Sequence, residues 1–313
     1  MQIERYTPNR KGEWDAFVRG SKNGTFLFER DYMDYHADRF EDHSLMVCDG
    51  DRLVAVLPAH QEGSRLASHN GLTYGGFVTQ CSMGSGRMLD IFSDTVGYLQ
   101  AGQFTSWLYK TIPHVYQSHP AEEDLYALWR HGARVLRSGV LAVVRPGAIK
   151  PQVRRIRGAR AASEWGLKVV ESADYDAFWD LLTMLLFKKY GTVPVHTLEE
   201  IERLAAAFPD HIRLFGCMDG REMIAGVVIY ESQNVARTQY IAASDRGKEL
   251  HALDAVFEHL LNQEYRHKAW LDMGTSDEDE GRTLNCGLLE YKESWGARAI
   301  AHNHYLLDLK EAA

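Results

Sequence analysis

Cysteine is scarce in this chain: four in 313 residues, at Cys48, Cys81, Cys217 and Cys286, with no CxxC pair among them. That spacing excludes a disulfide framework and the usual zinc patterns, and it reads as four reduced thiols. Positive charge is also in deficit. Lys and Arg number 35 against 43 Asp and Glu, a formal net charge of −8. A general nucleic-acid binder needs Lys and Arg to neutralise phosphates, so DNA is excluded as a partner and tRNA is disfavoured. No apolar run reaches the ~18 residues of a membrane span, and the opening Met1-Gln2-Ile3-Glu4-Arg5 has no apolar core of the secretory kind. The expectation is a cytoplasmic chain. Histidine, by contrast, is plentiful, with 14, yet no HExxH or HxxxH falls on a credible helix. His302 and His304 alternate in an expected strand and read as structural or solvated. The acidic run Asp277-Glu278-Asp279-Glu280 lacks the spacing of a calcium loop, so no metal is expected.

What the chain does have is an internal echo. Trp14-Asp15-Ala16-Phe17 returns as Tyr175-Asp176-Ala177-Phe178, and Phe40-Glu41-Asp42-His43 returns as Phe208-Pro209-Asp210-His211. In each half an apolar run, an Asp-Gly pair (Asp49-Gly50, Asp219-Gly220) and a second apolar run follow. The shared order predicts two copies of one domain, 1–150 and 151–313, each large enough to bury its own core at 45% hydrophobic content.

The second half is the clearer copy. Apolar residues at Phe178, Leu181, Leu182, Leu185 and Leu186 predict a helix over 175–187. Thr197-Leu198-Glu199-Glu200 is a capping box that starts another. Strands are expected at 212–218, 223–231 and 235–242, then a helix over 250–267, a strand at 270–273, a helix at 288–295 and a strand at 299–309. The first half reads the same way, with helices at 14–18, 32–40, 87–99 and 120–131. Its strands are expected at 45–48, 53–59, 72–77, 104–109 and 135–144. Residues 146–151 and the basic stretch 154–160 read as a connecting linker.

This element order, together with the residues around Gly247 and Asn285, resembles the GNAT acyltransferase fold, and the whole chain is similar to tandem-GNAT proteins of the FemAB-like group. Within that group it looks closest to sugar N-acyltransferases that act on dTDP-linked amino sugars. That closer resemblance is carried by Ser68-His69-Asn70-Gly71-Leu72-Thr73-Tyr74-Gly75-Gly76, His119-Pro120-Ala121-Glu122-Glu123-Asp124-Leu125-Tyr126 and Pro194-Val195-His196-Thr197-Leu198-Glu199-Glu200. Gln239-Tyr240-Ile241-Ala242 and Leu284-Asn285-Cys286-Gly287-Leu288 to Lys292, with Trp295-Gly296-Ala297, complete it. The fold implied is mixed α/β, two tandem GNAT-like domains with mostly antiparallel sheets flanked by helices. The implied donor is acyl-CoA, bound by the C-terminal domain, and the implied acceptor is a nucleotide-linked amino sugar met on the N-terminal, degenerate domain. A monomer or a homodimer would serve.

In that superfamily a strand, a loop and the next helix start hold the CoA pyrophosphate through backbone amides. Here the resemblance places Ile241, Ala242, Ala243, Ser244, Gly247, Lys248, His251 and Asn285 at the cofactor. Ser244-Asp245-Arg246-Gly247-Lys248-Glu249 departs from the family pattern at its first and last positions. The family sets an Asn seven residues before a helical Tyr that protonates the leaving thiolate; from Asn285, Tyr291 falls at six and Lys292 at seven. Tyr291 as acid and Lys292 as oxyanion stabiliser are both open, as is plain packing for each. Attack on a thioester requires a neutral amine, and His69, Glu123 and His196 are the candidates to take its proton. Tyr74 and Gly75 are candidates to contact the acceptor, against the alternative of a Gly-rich turn with a packed Tyr. The rivals to this reading are aminoacyl transfer from tRNA to a peptidoglycan precursor and a binding protein that has lost catalysis.

Overall fold

The computed structural model describes residues 1–148 and 150–309; Ile149, in the expected linker, lies outside them. The chain folds into two compact units. The first holds Met1–Gly139, Glu280–Arg282 and the stretch from Ala301 onward; the second holds Val140–Asp279 and Thr283–Ile300.

The first unit opens with β1 (Gln2–Arg5), α1 (Lys11–Arg19) and α2 (Arg30–Met33), followed by β2 (Glu41–Asp42), β3 (Leu45–Asp49) and β4 (Arg52–Leu57). Then come β5 (Ala59–Glu62), β6 (Arg65–Ser68), β7 (Val78–Thr79), α3 (Ser85–Ala101), β8 (Ser106–Lys110), α4 (Glu123–Arg130) and β9 (Arg134–Val144). The Asp49-Gly50 pair makes the β3/β4 hairpin, with Gly50 in the left-handed region at φ 59°. Helix α3 forms because Met88, Ile91, Phe92 and Leu99 recur on one face, which it lays on a core containing Phe77, Trp107 and Tyr109. The strands β6 and β8 pair in parallel at Arg65↔Ser106, Leu66↔Trp107 and Ala67↔Leu108.

The second unit contains α5 (Val153–Glu164), β10 (Lys168–Ser172), α6 (Tyr175–Tyr190), α7 (Leu198–Ala207), β11 (Ile212–Asp219), β12 (Glu222–Glu231) and β13 (Val235–Ala243). It continues through α8 (Asp245–Glu249), α9 (Ala252–His259), β14 (Trp270–Thr275), the small pair β15 (Asp277–Glu278) and β16 (Thr283–Leu284), α10 (Cys286–Ser294) and the start of β17 (Arg298–Asp308). Its sheet runs β10-β11-β12-β13-β14-β9, antiparallel except for β13 beside β14. The capping box is present as read, with Thr197 and Glu200 bonding each other's backbone amides. Val256, Phe257, Leu260 and Leu261 bury the inner face of α9 and its continuation against Phe215, Ile224 and Val227.

Each unit therefore combines helices with a mixed, mostly antiparallel sheet, the mixed α/β class that was expected. The connectivity has one departure from the repeat: residues 141–144 of β9 pair with β14 in the second unit, while β17 pairs with β8 in the first. Four local expectations give way, the first being the helix over 32–40, where the α-helix ends at Met33 and a 3-10 turn follows at Asp34–His36. Residues 154–160 are helical, within α5, rather than a linker; Gly158 and Ala162, buried four apart, form a narrow small-residue face that hydrophobic counting overlooks. Residues 72–77 are bends and irregular backbone rather than strand, with the carbonyls of His69 and Leu72 accepting from the Lys110 ammonium. The helix expected over 250–267 is interrupted by His251 at φ 57° and loosens into a π-helical turn at Leu260–Glu264.

Candidate active site in the second unit

The parallel pair β13 and β14 is the geometric centre of the site. Their register covers only Val235↔Trp270, Ala236↔Leu271 and Arg237↔Asp272. Beyond these the two strands separate, β13 continuing to Ala243 and β14 turning at Gly274, whose φ is 76°. The turn is held by the Asp272 carboxylate, which accepts the Gly274 amide at 2.7 Å through one oxygen and the Arg237 guanidinium at 2.6 Å through the other. Past Arg237↔Asp272 there is thus a gap in the pairing, and strand edges of this kind can bond an extended ligand.

Lys292 stands at that gap. It projects from α10, is 3% exposed, and donates to the carbonyls of Gly274 at 3.0 Å and Thr275 at 2.6 Å. Burial lowers its pKa to about 8, Asp272 opposing the shift and Arg237 adding to it. A buried cation bonded to two neutral carbonyls has Coulombic stabilisation to offer any oxyanion formed beside it. Tyr291, one residue earlier, points elsewhere, against Phe257 and under the Arg155 guanidinium, which lies 4.5 Å from its ring centroid. Burial raises the Tyr291 pKa well above the ordinary phenol value. A phenol held that firmly protonated is a hydrogen-bond donor and a poor proton source for a thiolate.

The loop expected at the CoA pyrophosphate sits where the sequence puts it, after β13. Its amides are partly spoken for. The Ser244 hydroxyl accepts from the Gly247 amide at 3.0 Å and donates to the Ile224 carbonyl at 3.1 Å. A Cβ on Gly247 would lie 2.2 Å from that same carbonyl, so the glycine is required for close approach to β12. Asp245, at the first position of α8, is bonded by Lys188 and Lys248, both at 2.8 Å, which hold its pKa down at about 2. Ala243, Gly247, Lys248 and His251 line a cavity of about 180 Å³ together with Arg155, Leu253, Asp254 and Tyr291. Asn285 instead caps α10, accepting the Leu288 amide at 3.0 Å and donating to Glu278 at 2.7 Å. Ile241 and Ala242 lie in the separating stretch of β13, opposite Val227 and Gly226 of β12.

The candidate bases meet different fates. His196 is buried at the end of the loop after α6; its Nδ1 is hydrogen-bonded to the Tyr240 hydroxyl, and its carbonyl accepts the Trp179 indole at 3.0 Å. Tyr240 belongs to β13 beyond the last residue paired with β14, and its ring packs against Trp179 and His196. In the first unit, His69 is 2% exposed and stacked on His36, and burial together with His36 and His60 pushes its pKa down to about 2. Glu123 is bonded at 2.6 Å to Lys22, itself buried. Tyr74 packs on Phe28 and Tyr116, its hydroxyl 3.1 Å from Thr25, and Gly75 lies against the Ser68 side chain. Arg155, Asp254 and the Arg237–Asp272 pair were not singled out from the sequence. Arg155 lay inside the stretch read as linker, and nothing in local pattern joins it to Asp254, 99 positions later.

Among the described residues no group of three or more His, Cys, Asp and Glu is arranged to hold a metal, and no helix is long and apolar enough to cross a membrane. No family model matches the chain, and no curated protein matches it. Solved structures do. FemX aligns over 98% of this chain and 97% of its own, with a TM-score of 0.70 at 13% identity. L-PGS from Bacillus licheniformis aligns over 98% and 93%, with a TM-score of 0.62 at 12% identity. The C-terminal domain (DUF2156) of a putative lysylphosphatidylglycerol synthetase from Agrobacterium fabrum covers 98% and 94%, with a TM-score of 0.58 at 12% identity. The chain thus has the fold of these proteins from end to end, and at such identity the likeness is one of fold.

Proposed function

We propose that this chain is a cytoplasmic N-acyltransferase that moves an acyl group from acyl-CoA to the amino group of a nucleotide-linked, dTDP-type amino sugar used in surface polysaccharide synthesis. The observation that carries the acyl-transfer reading is the gap between β13 and β14 with the buried Lys292 ammonium beside it. The amine lone pair attacks the thioester carbonyl, the C–N bond forms and the C–S bond breaks, and the electron pair departs on the thiolate. Lys292 stabilises the charge that gathers on the carbonyl oxygen. We assign the amine's proton to the His196–Tyr240 pair, because His69 has too low a pKa and Glu123 is held by Lys22. The dTDP-sugar acceptor rests on the sequence resemblance.

A second reading, transfer of an aminoacyl group from tRNA, is favoured by one observation: Ser244 occupies the Gly247 amide that a CoA pyrophosphate would seek, and the Asp245 carboxylate stands next to it. The FemX-like fold accords with it. Both readings need Lys292. The test is mass spectrometry of the full chain with a panel of acyl-CoAs and dTDP-amino sugars, beside charged tRNA with amine acceptors. N-acylated sugar formed by the wild type and lost in Lys292→Met is the expected result. Aminoacyl transfer from tRNA with no consumption of any acyl-CoA would replace the first reading by the second, and no transfer from either donor would end both.

A further inference from the structure

Helix α5 has a face that the candidate site does not use. Gly158 and Ala162 turn inward, and on the opposite side Val153, Ile156, Arg157, Arg160 and Glu164 follow one another at helical spacing, all exposed. Val153 is 60% exposed and Ile156 51%. Exposed aliphatic side chains are ordinary one at a time; the charge around these two is not. From Arg145 to Lys168 the sequence holds seven basic residues, Arg145, Lys150, Arg154, Arg155, Arg157, Arg160 and Lys168, against the single carboxylate of Glu164, in a chain whose formal net charge is −8. Three of the seven are paired: Arg154 with Glu290, Arg155 with Asp254 and Arg160 with Glu164. The first and last of these pairs are more than half exposed on both sides and are of the weak, exchangeable kind. Arg145, Lys150, Arg157 and Lys168 are exposed and have no ion pair among the described residues. Salt screens exposed charges beyond about 8 Å at physiological ionic strength, so acidic residues elsewhere in the chain do not cancel this local surplus.

We propose that the outer face of α5 docks this protein on an anionic phospholipid bilayer, Val153 and Ile156 entering the headgroup region while Arg157 and the cations flanking the helix meet lipid phosphates. The 12 residues of α5 make a helix of about 18 Å, long enough to lie along a bilayer surface and too short to span it. The composition of the face selects this occupant over two others. A nucleic-acid backbone would use the arginines and leave Val153 and Ile156 without an apolar contact. A second copy of the chain, face to face, would cover the aliphatic pair but bring two sets of surplus cations together. An anionic bilayer takes up both, apolar side chains below the headgroups and cations among the phosphates. The proposal goes beyond the transfer reaction, setting it at a membrane surface, and is independent of which donor and acceptor the second unit uses.

The test is co-sedimentation of the full chain with vesicles of phosphatidylcholine alone and of phosphatidylcholine mixed with phosphatidylglycerol, at low and high salt, beside equilibrium binding of uncharged tRNA. Arg157→Glu, Arg157→Lys and Val153→Asp are compared with the wild type, and thermal denaturation checks that each is folded. We expect binding to the anionic vesicles only, weakened by salt, retained in Arg157→Lys and weaker by about tenfold or more in Arg157→Glu. Val153→Asp should weaken it too, since the carboxylate removes an apolar contact and adds repulsion. No sedimentation with anionic vesicles, or sedimentation equal in the wild type and Arg157→Glu, would overturn the proposal. Binding of tRNA that Arg157→Glu weakens, without vesicle binding, would overturn it in favour of a nucleic-acid partner. A dimer in solution that Val153→Asp separates, again without vesicle binding, would overturn it in favour of a second copy. None of these readouts depends on catalysis, so the transfer reading stands or falls separately.

Discussion

Lys292 is the residue on which most depends, and its protonation gives a test in two directions. As a cation that stabilises an oxyanion, it should lose effect as pH rises through about 8, so the wild-type rate should fall relative to that of Lys292→Arg, whose side chain stays charged. A ratio of the two rates that stays flat between about pH 7 and 9.5 would remove Lys292 from that role. Stability runs the other way. The folded-state pKa of about 8 lies below the ordinary lysine value of 10.5, so between those values the unfolded chain binds more protons and stability rises with pH. Urea denaturation should show the wild type gaining on Lys292→Met across that window, by up to about 3 kcal/mol, the equivalent of the shift. Spacing from Asn285 had singled out Lys292 beside Tyr291 without choosing between them. The choice needed burial and direction: α10 turns Lys292 onto the Gly274 and Thr275 carbonyls and Tyr291 toward Arg155.

At the scale of elements, α10 is held at its start by Asn285, which was expected at the donor and serves as the helix cap. Asn285→Ala should cost about 1 kcal/mol of stability. It should lower kcat, because it loosens the helix that carries Lys292, whereas Asn285 itself does not line the cavity. A rise in donor KM with kcat unchanged would restore Asn285 to the binding site. Local chemistry made several elements legible in advance. Thr197 and Glu200 announced α7, and the two Asp-Gly pairs announced the hairpins β3/β4 and β11/β12, since a capping box and a tight turn are complete within four residues. Helix α5 was not legible, because its buried face is Gly158 and Ala162 and its purpose is to approach Asp254. The break at His251 was equally hidden: apolar spacing continued through Leu250 and Leu253 while the backbone did not.

For the whole molecule, a division into two units was expected from the repeat but the return of the chain was not, since strand exchange is a long-range pairing that no window of sequence contains. The last strand, β17, pairs with β8 from His304↔Lys110 to Asp308↔Ser106, and Leu307 and Leu309 enter the core of the first unit at 2% and 3% exposure. Burying two leucines is worth about 3–6 kcal/mol by area, a large part of the stability of a domain this size. Removing β17 also leaves β8 with an open edge. A fragment of residues 1–150, the unit suggested by the repeat, should therefore unfold without a cooperative transition and be digested rapidly by protease. A peptide of residues 298–309 added in trans should restore protection at Trp107 and Tyr109, detected by hydrogen exchange. If the fragment alone melts cooperatively and resists protease, the first half stands without the strand that the fold assigns to it. In that case the exchanged strands would be an accessory to each unit rather than the closing element of its sheet.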